Sequence, residues 1–356
     1  MARPPWRVDG SDPTDTETVA EFSGSFEPRR SGTVYGPLQP EDRFKRSERS
    51  TTLRLRAFHD VIVMPHHVIL SQATGAVLPV SFGLSPEHFW LRPSPRGKAF
   101  LDYQFANNLR PPKRIVEPVF LADAMFDGAF GHTLIEALPQ LGLLSGAPEG
   151  TRVVTSASAF QPLFQAMGVE GERLLEFQSP LYCKTVYIPD APVDISGNLH
   201  TLGRAVYARV GQLAGRSSLA PIDRVYLSRS RIAARKLLNE LEIEALFRRY
   251  GFEIVHPELL SIPDQIQLVK NAHIVAGPAG SGMHHLLFAP PTTKALIFEP
   301  EHWFVELDQY ISQADEQVGY ALGRADPPRQ SSHPRTWSWS IDTALIEHAI
   351  KKHFSL

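Results

Sequence analysis

The period of apolar positions changes several times along the chain. Residues 1–50 show none: they are rich in Pro, Gly, Ser, Thr, Arg and acids (SDPTDTETVAEFSGSFEPRRSG), which predicts an extended or disordered N-terminal arm that cannot nucleate a core alone. From Thr52 short apolar stretches (LRLRAF, DVIVMP, HVILSQ, AVLPVSF) alternate with Gly, Pro and His, the pattern of a strand cluster. A strand–helix alternation then follows: strand 113–122, helix 131–144, strand 151–156, helix 160–169, strand 183–189 and helix 198–216. These stretches predict a first Rossmann-like domain over 51–216.

SSLAPID (217–223) reads as a hinge before a more regular half. There a strand at 224–230 leads into a helix at 235–251 closed by Gly251, and a strand at 252–257 leads into a helix at 261–272. Ser261 and Asp264 form a capping box there, with Pro263 in the first turn. A buried strand at 273–278, a Gly-rich turn into a short helix at 280–289 and a strand at 294–300 complete the series. Crossovers of this length suit parallel pairing, so a doubly wound sheet is expected over 217–335 and the fold class is α/β. The last stretch, 336–356, is assigned to a C-terminal helix built on TALIEHAIKKHF (343–354).

Composition narrows the function classes. The 356 residues include 43% hydrophobic and 21% charged positions, which excludes a disordered, collagenous or coiled-coil chain. Thirty-six Lys and Arg stand against 38 Asp and Glu, so the net charge of -2 advertises no nucleic-acid partner and any anion site must be local. The single Cys183 cannot pair within the chain and no zinc-spaced Cys/His set exists, so a reducing cytoplasm is expected. There is no apolar run of spanning length, and Met1–Gly10 lacks the apolar stretch of a secretory signal, so a soluble chain starting near Met1 is expected. Peripheral association with a membrane surface is left open.

The most specific local signal is GPAGSG (277–282), between a buried strand and a helix start. Its glycines, Gly277, Gly280 and Gly282, allow tight turning and close backbone approach to a phosphate. The spacing is not that of the dinucleotide fingerprint, which disfavours NAD. SRSRIAARKLLNE (228–240) follows the first strand of the same half and brings Arg229, Arg231, Arg235 and Lys236 toward the same set of strand ends, where arginine's planar fork suits phosphate oxygens. A solvated helix start is the plainer account of any one of these cations.

In the first half, DAMFDGAFGHTLIEALPQL (123–141) gathers Asp123, Asp127, His132 and Glu136 around a loop entering a helix. His132 and Glu136 lie four residues apart, so a carboxylate can orient an imidazole acting as a general base; a helix-stabilising surface pair has the same spacing. His66/His67 and His284/His285 are sequence neighbours whose side chains diverge, so neither pair reads as a metal site. No GxSxG elbow, GxxxxGK[ST] loop, HExxH helix or DxD pair occurs, so serine hydrolase, nucleoside-triphosphatase, zinc protease and metal-clamped transferase chemistries lack their defining residues.

The combination resembles glycosyltransferase family 61. FGHTLIEALPQL (130–141) is similar to the family's "nYyHWlxExlPrL", VYLSRSRIAARKLLNE (225–240) to "vyiSRxxxxxRxxxNE", and GFEIVHPELLSIPDQIQLVKNAHIVAGPAGSGMHHLLFAP (251–290) to "GFexvxPexlsxxeQixlfxxAxxivGpHGAGltNllF". The chain departs at Ala279 for His, Ser281 for Ala, His285 for Asn and Thr133 for Trp. The resemblance implies a GT-B architecture, two Rossmann-like domains facing across a cleft, and inverting transfer from a nucleotide-sugar donor, UDP-linked in the first instance. It implies a glycan or lipid-linked acceptor, no metal or other cofactor, and surface polysaccharide biosynthesis at the inner face of the membrane.

By the same resemblance Ser228, Arg229, Arg235, Asn239, His256, Glu258, Gly277, Gly280, Ser281, Gly282, His284 and His285 are expected at the donor, with Val255–Glu258 near the nucleobase. Inversion in one displacement needs a base and charge stabilisation on the leaving diphosphate. Those roles are expected of His132, oriented by Glu136 with Asp127 as substitute, and of Arg229, Arg235 and the Gly-rich turn. A catalytically weak nucleotide-sugar-binding or assembly protein of the same fold is the alternative, motivated by Ala279 and Thr133.

Overall fold

The computed structural model describes residues 16–27, 32–36, 49–82, 95–107, 110–125, 129–156, 160–194, 198–304, 306–313, 317–326 and 337–356. The chain divides into two compact units, one comprising Met1–Glu27 and Arg49–Val210, the other Pro28–Glu48 and Gly211–Leu356. The second unit thus begins at Gly211, not at 217, and the segment before residue 50 is shared between the two. Where described, that segment is not a free arm. It forms β1 (Glu17–Phe26), which pairs antiparallel with β3 (Arg49–Met64), and β2 (Thr33–Tyr35), which adds to the sheet of the second unit. A polar strand needs no core of its own when the edge of an existing sheet supplies the partner groups for its backbone.

The first unit is built on an eight-stranded mixed sheet. β3 is long because its apolar positions recur without a breaker, and it pairs antiparallel with β1, with β4 (Val68–Ser71) and with β9 (Leu181–Pro189). The rest is parallel. β5 (Lys113–Ile115) and β6 (Val119–Leu121) both pair with β9, β6 also pairs with β7 (Arg152–Thr155), and β7 pairs with β8 (Leu174–Glu176). Pro118 interrupts what the sequence predicts as one strand at 113–122. The Rossmann-like expectation therefore describes only the parallel half of this sheet. Its core runs from Phe58, Val61 and Val63 to Ile115, Val119, Leu121, Val154 and Val186, all buried. A two-stranded ribbon, β10 (Val193–Asp194) with β11 (Asn198–Leu199), precedes the helix Thr201–Val210.

The second unit carries the expected doubly wound sheet. β12 (Arg224–Leu227), β13 (Glu253–Val255), β14 (Ile274–Pro278), β15 (Lys294–Pro300) and β16 (Val318–Asp326) stand in the order β13-β12-β14-β15-β16, with every one of these pairings parallel. β17 (Ser338–Ser340) closes the edge antiparallel to β16. Alternate residues feed two cores, as befits a parallel sheet covered on both faces. Tyr226, Leu296 and Phe298 pack with Phe247, Ile350 and Phe354 on one face, and Val225, Leu227, Val275 and Ile297 with Leu268, Leu286 and Tyr320 on the other.

The helix Ile262–Asn271 starts as expected: Ser261 accepts a hydrogen bond from the Asp264 amide. The final helix spans Thr343–Phe354, capped by Asp342 accepting from the Ala344 amide, and packs into the second unit's core instead of standing apart from it. Two expected helices shorten. The helix predicted at 235–251 begins only at Glu240, because 228–239 is spent on a loop with Arg235 at φ 53°, and the helix predicted at 280–289 is a 3-10 turn, Met283–Phe288.

In this strand order, 2-1-3-4-5 by chain position, the connections from β12 and β14 leave the sheet in opposite directions, which opens a crevice between their C-terminal ends. Gly277 makes the close pairing possible, since a Cβ there would fall 2.6 Å from the Leu227 carbonyl oxygen. Gly277→Ala is accordingly expected to lower stability by about 1–3 kcal/mol, because backbone has to move to relieve the clash. Urea denaturation followed by tryptophan fluorescence checks this; an unchanged midpoint would show that the two strand ends are not tightly held.

Candidate active site

Each unit carries one cluster at the C-terminal ends of its parallel strands. In the first, the chain leaves β6 through Asp123 and enters a helical segment spanning residues 130–146. The middle of that segment, Thr133–Ala137, is wound as a π-helix, a form that often marks functional positions because it re-aims a side chain. Glu136 lies within this turn and His132 immediately before it. His132 Nδ1 lies 2.8 Å from Glu136 Oε1, and Glu136 Oε2 accepts from the Met125 amide at 2.7 Å. Glu136 is buried, whereas the His132 side chain is 32% exposed, so the carboxylate is the fixed member and the imidazole faces outward. With its proton on Nδ1 toward Glu136, the ring carries its lone pair on Nε2. Asp127 lies outside the described residues.

The loop around this pair is locked by a carboxylate that the sequence reading noticed without giving it a role. Asp123 is fully buried and accepts from the Ser156 amide and hydroxyl, 2.7 and 2.6 Å, and from the His67 amide at 2.9 Å. Burial pushes its carboxyl up to about 6, against the hydrogen bonds, which act to lower it. Gln140, from the helical segment, bonds both the amide and the carbonyl of Asp123. His66 and His67 both adopt positive φ, 68° and 60°, a conformation costly for non-glycine residues and retained where surrounding structure enforces it. The His67 ring is buried and its pKa lowered to about 4 by desolvation, although Glu136 acts in the opposite direction. The adjacency of His66 and His67 speaks against a metal site, and no period in the sequence shows that His67 approaches Glu136.

In the second unit, the loop after β12 and the turn after β14 meet. A Cβ on Gly280, whose φ is 144°, would overlap Arg229 Nη1 and come within 3.5 Å of Arg235 Nη2. The positive φ favours glycine there, and its bare backbone leaves two guanidinium groups against the turn. Arg229 is held by its backbone amide, which donates to Glu240 Oε1 at 2.6 Å, and by a guanidinium bond to the Ala234 carbonyl at 3.0 Å. Burial and the neighbouring Arg235 lower the Arg229 pKa to about 10, against the opposing charges of Glu240 and Glu258, so it stays cationic at neutral pH. Two like charges held together in a partly desolvated crevice are poised for an anion.

Several expected donor residues have other work. The Ser228 hydroxyl, buried beneath Arg229, donates to Glu244 at 2.7 Å and accepts from the Ser230 amide. Asn239 clamps the backbone of Ile341, donating to its carbonyl at 2.8 Å and accepting from its amide at 3.2 Å. His285 is buried and donates from Nδ1 to the Gly282 carbonyl at 2.8 Å, with its pKa lowered to about 4 by burial. These three, with Gly277, have close contacts or hydrogen-bond partners within the second unit. Arg229, Arg235, Gly280, Ser281, Gly282 and Glu258 remain along the crevice, Glu258 acting electrostatically on Arg229, while the mostly buried His256 stands 3.8 Å from Glu258. His284, on the same turn, binds Asp308 at 2.5 Å.

A parallel α/β unit with a cationic, glycine-lined crevice at its switch point belongs to the class of folds that hold phosphorylated ligands there. Residues 130–296 match the family model Glycosyltransferase 61, so over that stretch the chain is similar to glycosyltransferase family 61. No curated protein matches it. The matched stretch starts at the π-helical segment of the first unit and ends in β15 of the second, so it contains both clusters. Among the described residues, no group of three metal-ligating side chains converges and no helix is long and apolar enough to cross a membrane.

The buried, neutral His285 gives an acid-sensitivity test. Its folded pKa lies below the value near 6.5 of an unfolded histidine, so the unfolded chain gains a proton that the fold resists as pH falls from 6.5 through 4. Stability from this group is present above pH 6.5 and lost below it. His285→Gln is expected to remove about 2 kcal/mol of the stability that the wild type loses between pH 7 and 4.5, at a pKa-shift cost of about 1.4 kcal/mol per unit. Paired urea titrations at the two pH values measure it, and equal losses in both proteins would reject the assignment.

Proposed function

We propose that this protein is an inverting glycosyltransferase. It moves a sugar from a nucleotide-sugar donor, UDP-linked in the first instance, to the hydroxyl of a glycan or lipid-linked acceptor. The two units act as the halves of a GT-B enzyme working in surface polysaccharide assembly, in the cytoplasm at the inner face of the membrane. The observation that carries this reading is the convergence of Arg229 and Arg235 on Gly280 at the β12/β14 crevice. Supporting it are the family match and the His132–Glu136 pair.

In the proposed reaction, the acceptor hydroxyl attacks the anomeric carbon as the bond to the diphosphate breaks on the opposite face. His132 Nε2 takes the hydroxyl proton. The imidazolium so formed donates from Nδ1 to Glu136, whose own position is fixed by the Met125 amide. Negative charge growing on the diphosphate meets the guanidinium groups of Arg229 and Arg235, which are already oriented and partly stripped of water. Two fixed cations supply the charge that a divalent ion supplies in other transferases, so the reaction is proposed to proceed without metal. Glu258, near Arg229, is assigned to the nucleoside end.

His132→Ala is expected to lower kcat by about 10²–10⁴, the usual scale for losing a general base, with donor affinity nearly intact. Arg229→Lys should instead weaken nucleoside-diphosphate binding, since an ammonium cannot reproduce the planar fork. A thermal-shift screen of nucleoside diphosphates and nucleotide sugars, followed by transfer assays with and without EDTA, tests the whole reading. A melting temperature that no nucleotide raises, or turnover that requires Mn²⁺, would overturn it. Binding without transfer or donor hydrolysis would select the weakly catalytic nucleotide-sugar-binding protein, the reading that Ala279 and Thr133 favour.

A further inference from the structure

Few of the described residues present a large apolar side chain to water, and two that do stand three positions apart. Leu238 is 50% and Leu241 70% exposed, where the loop after β12 turns into the helix Glu240–Arg249. Packing dictates this. Leu237 bridges to Trp339 and is buried, so its neighbour Leu238, whose amide donates to the Trp339 carbonyl at 2.7 Å, is turned outward. The Glu240 amide donates to the Leu237 carbonyl and the Glu242 amide to the Asn239 carbonyl. In so tight a turn, residues three apart fall side by side. The helix then buries Ile243, Leu246 and Phe247, which leaves Leu241, Ala245, Arg248 and Arg249 along its outer side. An exposed leucine standing alone needs no explanation, but an adjacent pair in a charged surround does.

That surround is cationic. Residues 229–249 carry six Lys and Arg against three Glu, in a chain whose net charge is -2. Glu240 and Glu244 are buried beneath the loop, so Glu242 is the exposed acid of this stretch, whereas Arg231, Lys236, Arg248 and Arg249 are all exposed. Asp342, next to the Ile341 that Asn239 clamps, is occupied in capping the last helix. We infer that the Leu238–Leu241 turn docks the second unit on an anionic lipid surface. The leucines enter the boundary of the acyl chains while the cations meet headgroup phosphates. A second copy of the chain is a poorer occupant, because a two-fold contact sets a patch against itself and would bring like charges together. The inference rests on this exposed turn alone. If the transferase reading holds as well, docking brings the loop that carries Arg229 and Arg235 to the surface at which a lipid-linked acceptor is presented.

The test is co-sedimentation of the full chain with vesicles of phosphatidylcholine and phosphatidylglycerol in about a 3:1 ratio, and with vesicles of phosphatidylcholine alone. Binding is expected to the anionic vesicles only and to weaken as salt is added. Leu238→Asp combined with Leu241→Asp should lower the partition coefficient roughly tenfold, and Leu241→Asp alone by several-fold. Arg231→Glu and Lys236→Glu should each lower it at least about fivefold. Melting temperatures of the leucine variants should match the wild type, since both side chains lie outside the core. Val116→Asp removes an equally exposed apolar residue of the first unit and should leave partition unaltered. Absence of binding to anionic vesicles overturns the inference, as does binding that folded Leu241→Asp retains in full or that Val116→Asp loses equally. A dimer in light scattering that Leu241→Asp dissolves also overturns it, by assigning the patch to a second copy. No nucleotide enters the measurement, so its failure leaves the transferase reading standing, and failure of the nucleotide screen leaves the docking surface standing.

Discussion

The proposed donor side depends on one backbone constraint: Gly280, at φ 144°, takes a conformation that other residues rarely adopt, and its bare backbone lies against the guanidinium groups of Arg229 and Arg235. Everything around it serves that approach. The strand order of the second unit opens the crevice, Gly277 lets β14 run close under the end of β12, and Glu240 pins the Arg229 amide from the first turn of the helix Glu240–Arg249. A carboxylate placed under the loop also limits how far like-charge repulsion between Arg229 and Arg235 can push them apart. The buried acids Glu240 and Glu244 share the Ser228 hydroxyl, and burial raises the carboxyl pKa of Glu240. That is a costly foundation, and it is intelligible only if the loop above it must not move.

Histidines illustrate how context decides role. His132 and His284 each turn Nδ1 to a buried carboxylate, which fixes the orientation of the ring. His67 and His285 are buried whole, with pKa values near 4, and at neutral pH they behave as uncharged core groups. Residue type is identical in all four. What separates them is whether an acid from another turn or element reaches the ring, and that is a property of the fold.

Much of the second unit was legible in the sequence because its signals are local. Short β-branched runs, Gly251 at a helix end and the Ser261 cap gave elements whose positions the structure reproduces within a few residues. Helix length after β12 was misread because the apolar period starts at Leu237 and Leu238, yet Arg235 takes a positive φ and the loop continues to Asn239. The first unit was harder to read. Its sheet is held by pairings between segments more than a hundred residues apart, such as Phe58 with Val186, and β1 and β2 pair with edges distant in the sequence, with Phe26 and Tyr35 buried. Nothing within a window of the sequence carries that information.

The site followed the same division. His132 with Glu136 and Arg229 with Arg235 were readable, since each pair lies within one loop or helix turn. Asp123 locks the loop beside the first pair by bonding Ser156 33 positions away and the His67 amide 56 positions away, and Glu240 holds the Arg229 amide across 11. Asp308 reaches His284 across 24. Residues that touch a substrate tend to sit on strand-end loops, where glycine and charge make them conspicuous. Those that aim them come from whichever element the topology brings alongside, and a buried Asp or Glu inside an ordinary helix start announces nothing. A reading of this chain from sequence alone therefore finds the groups that would do chemistry sooner than the groups that would make the chemistry precise. The carboxylates are where the structure adds most.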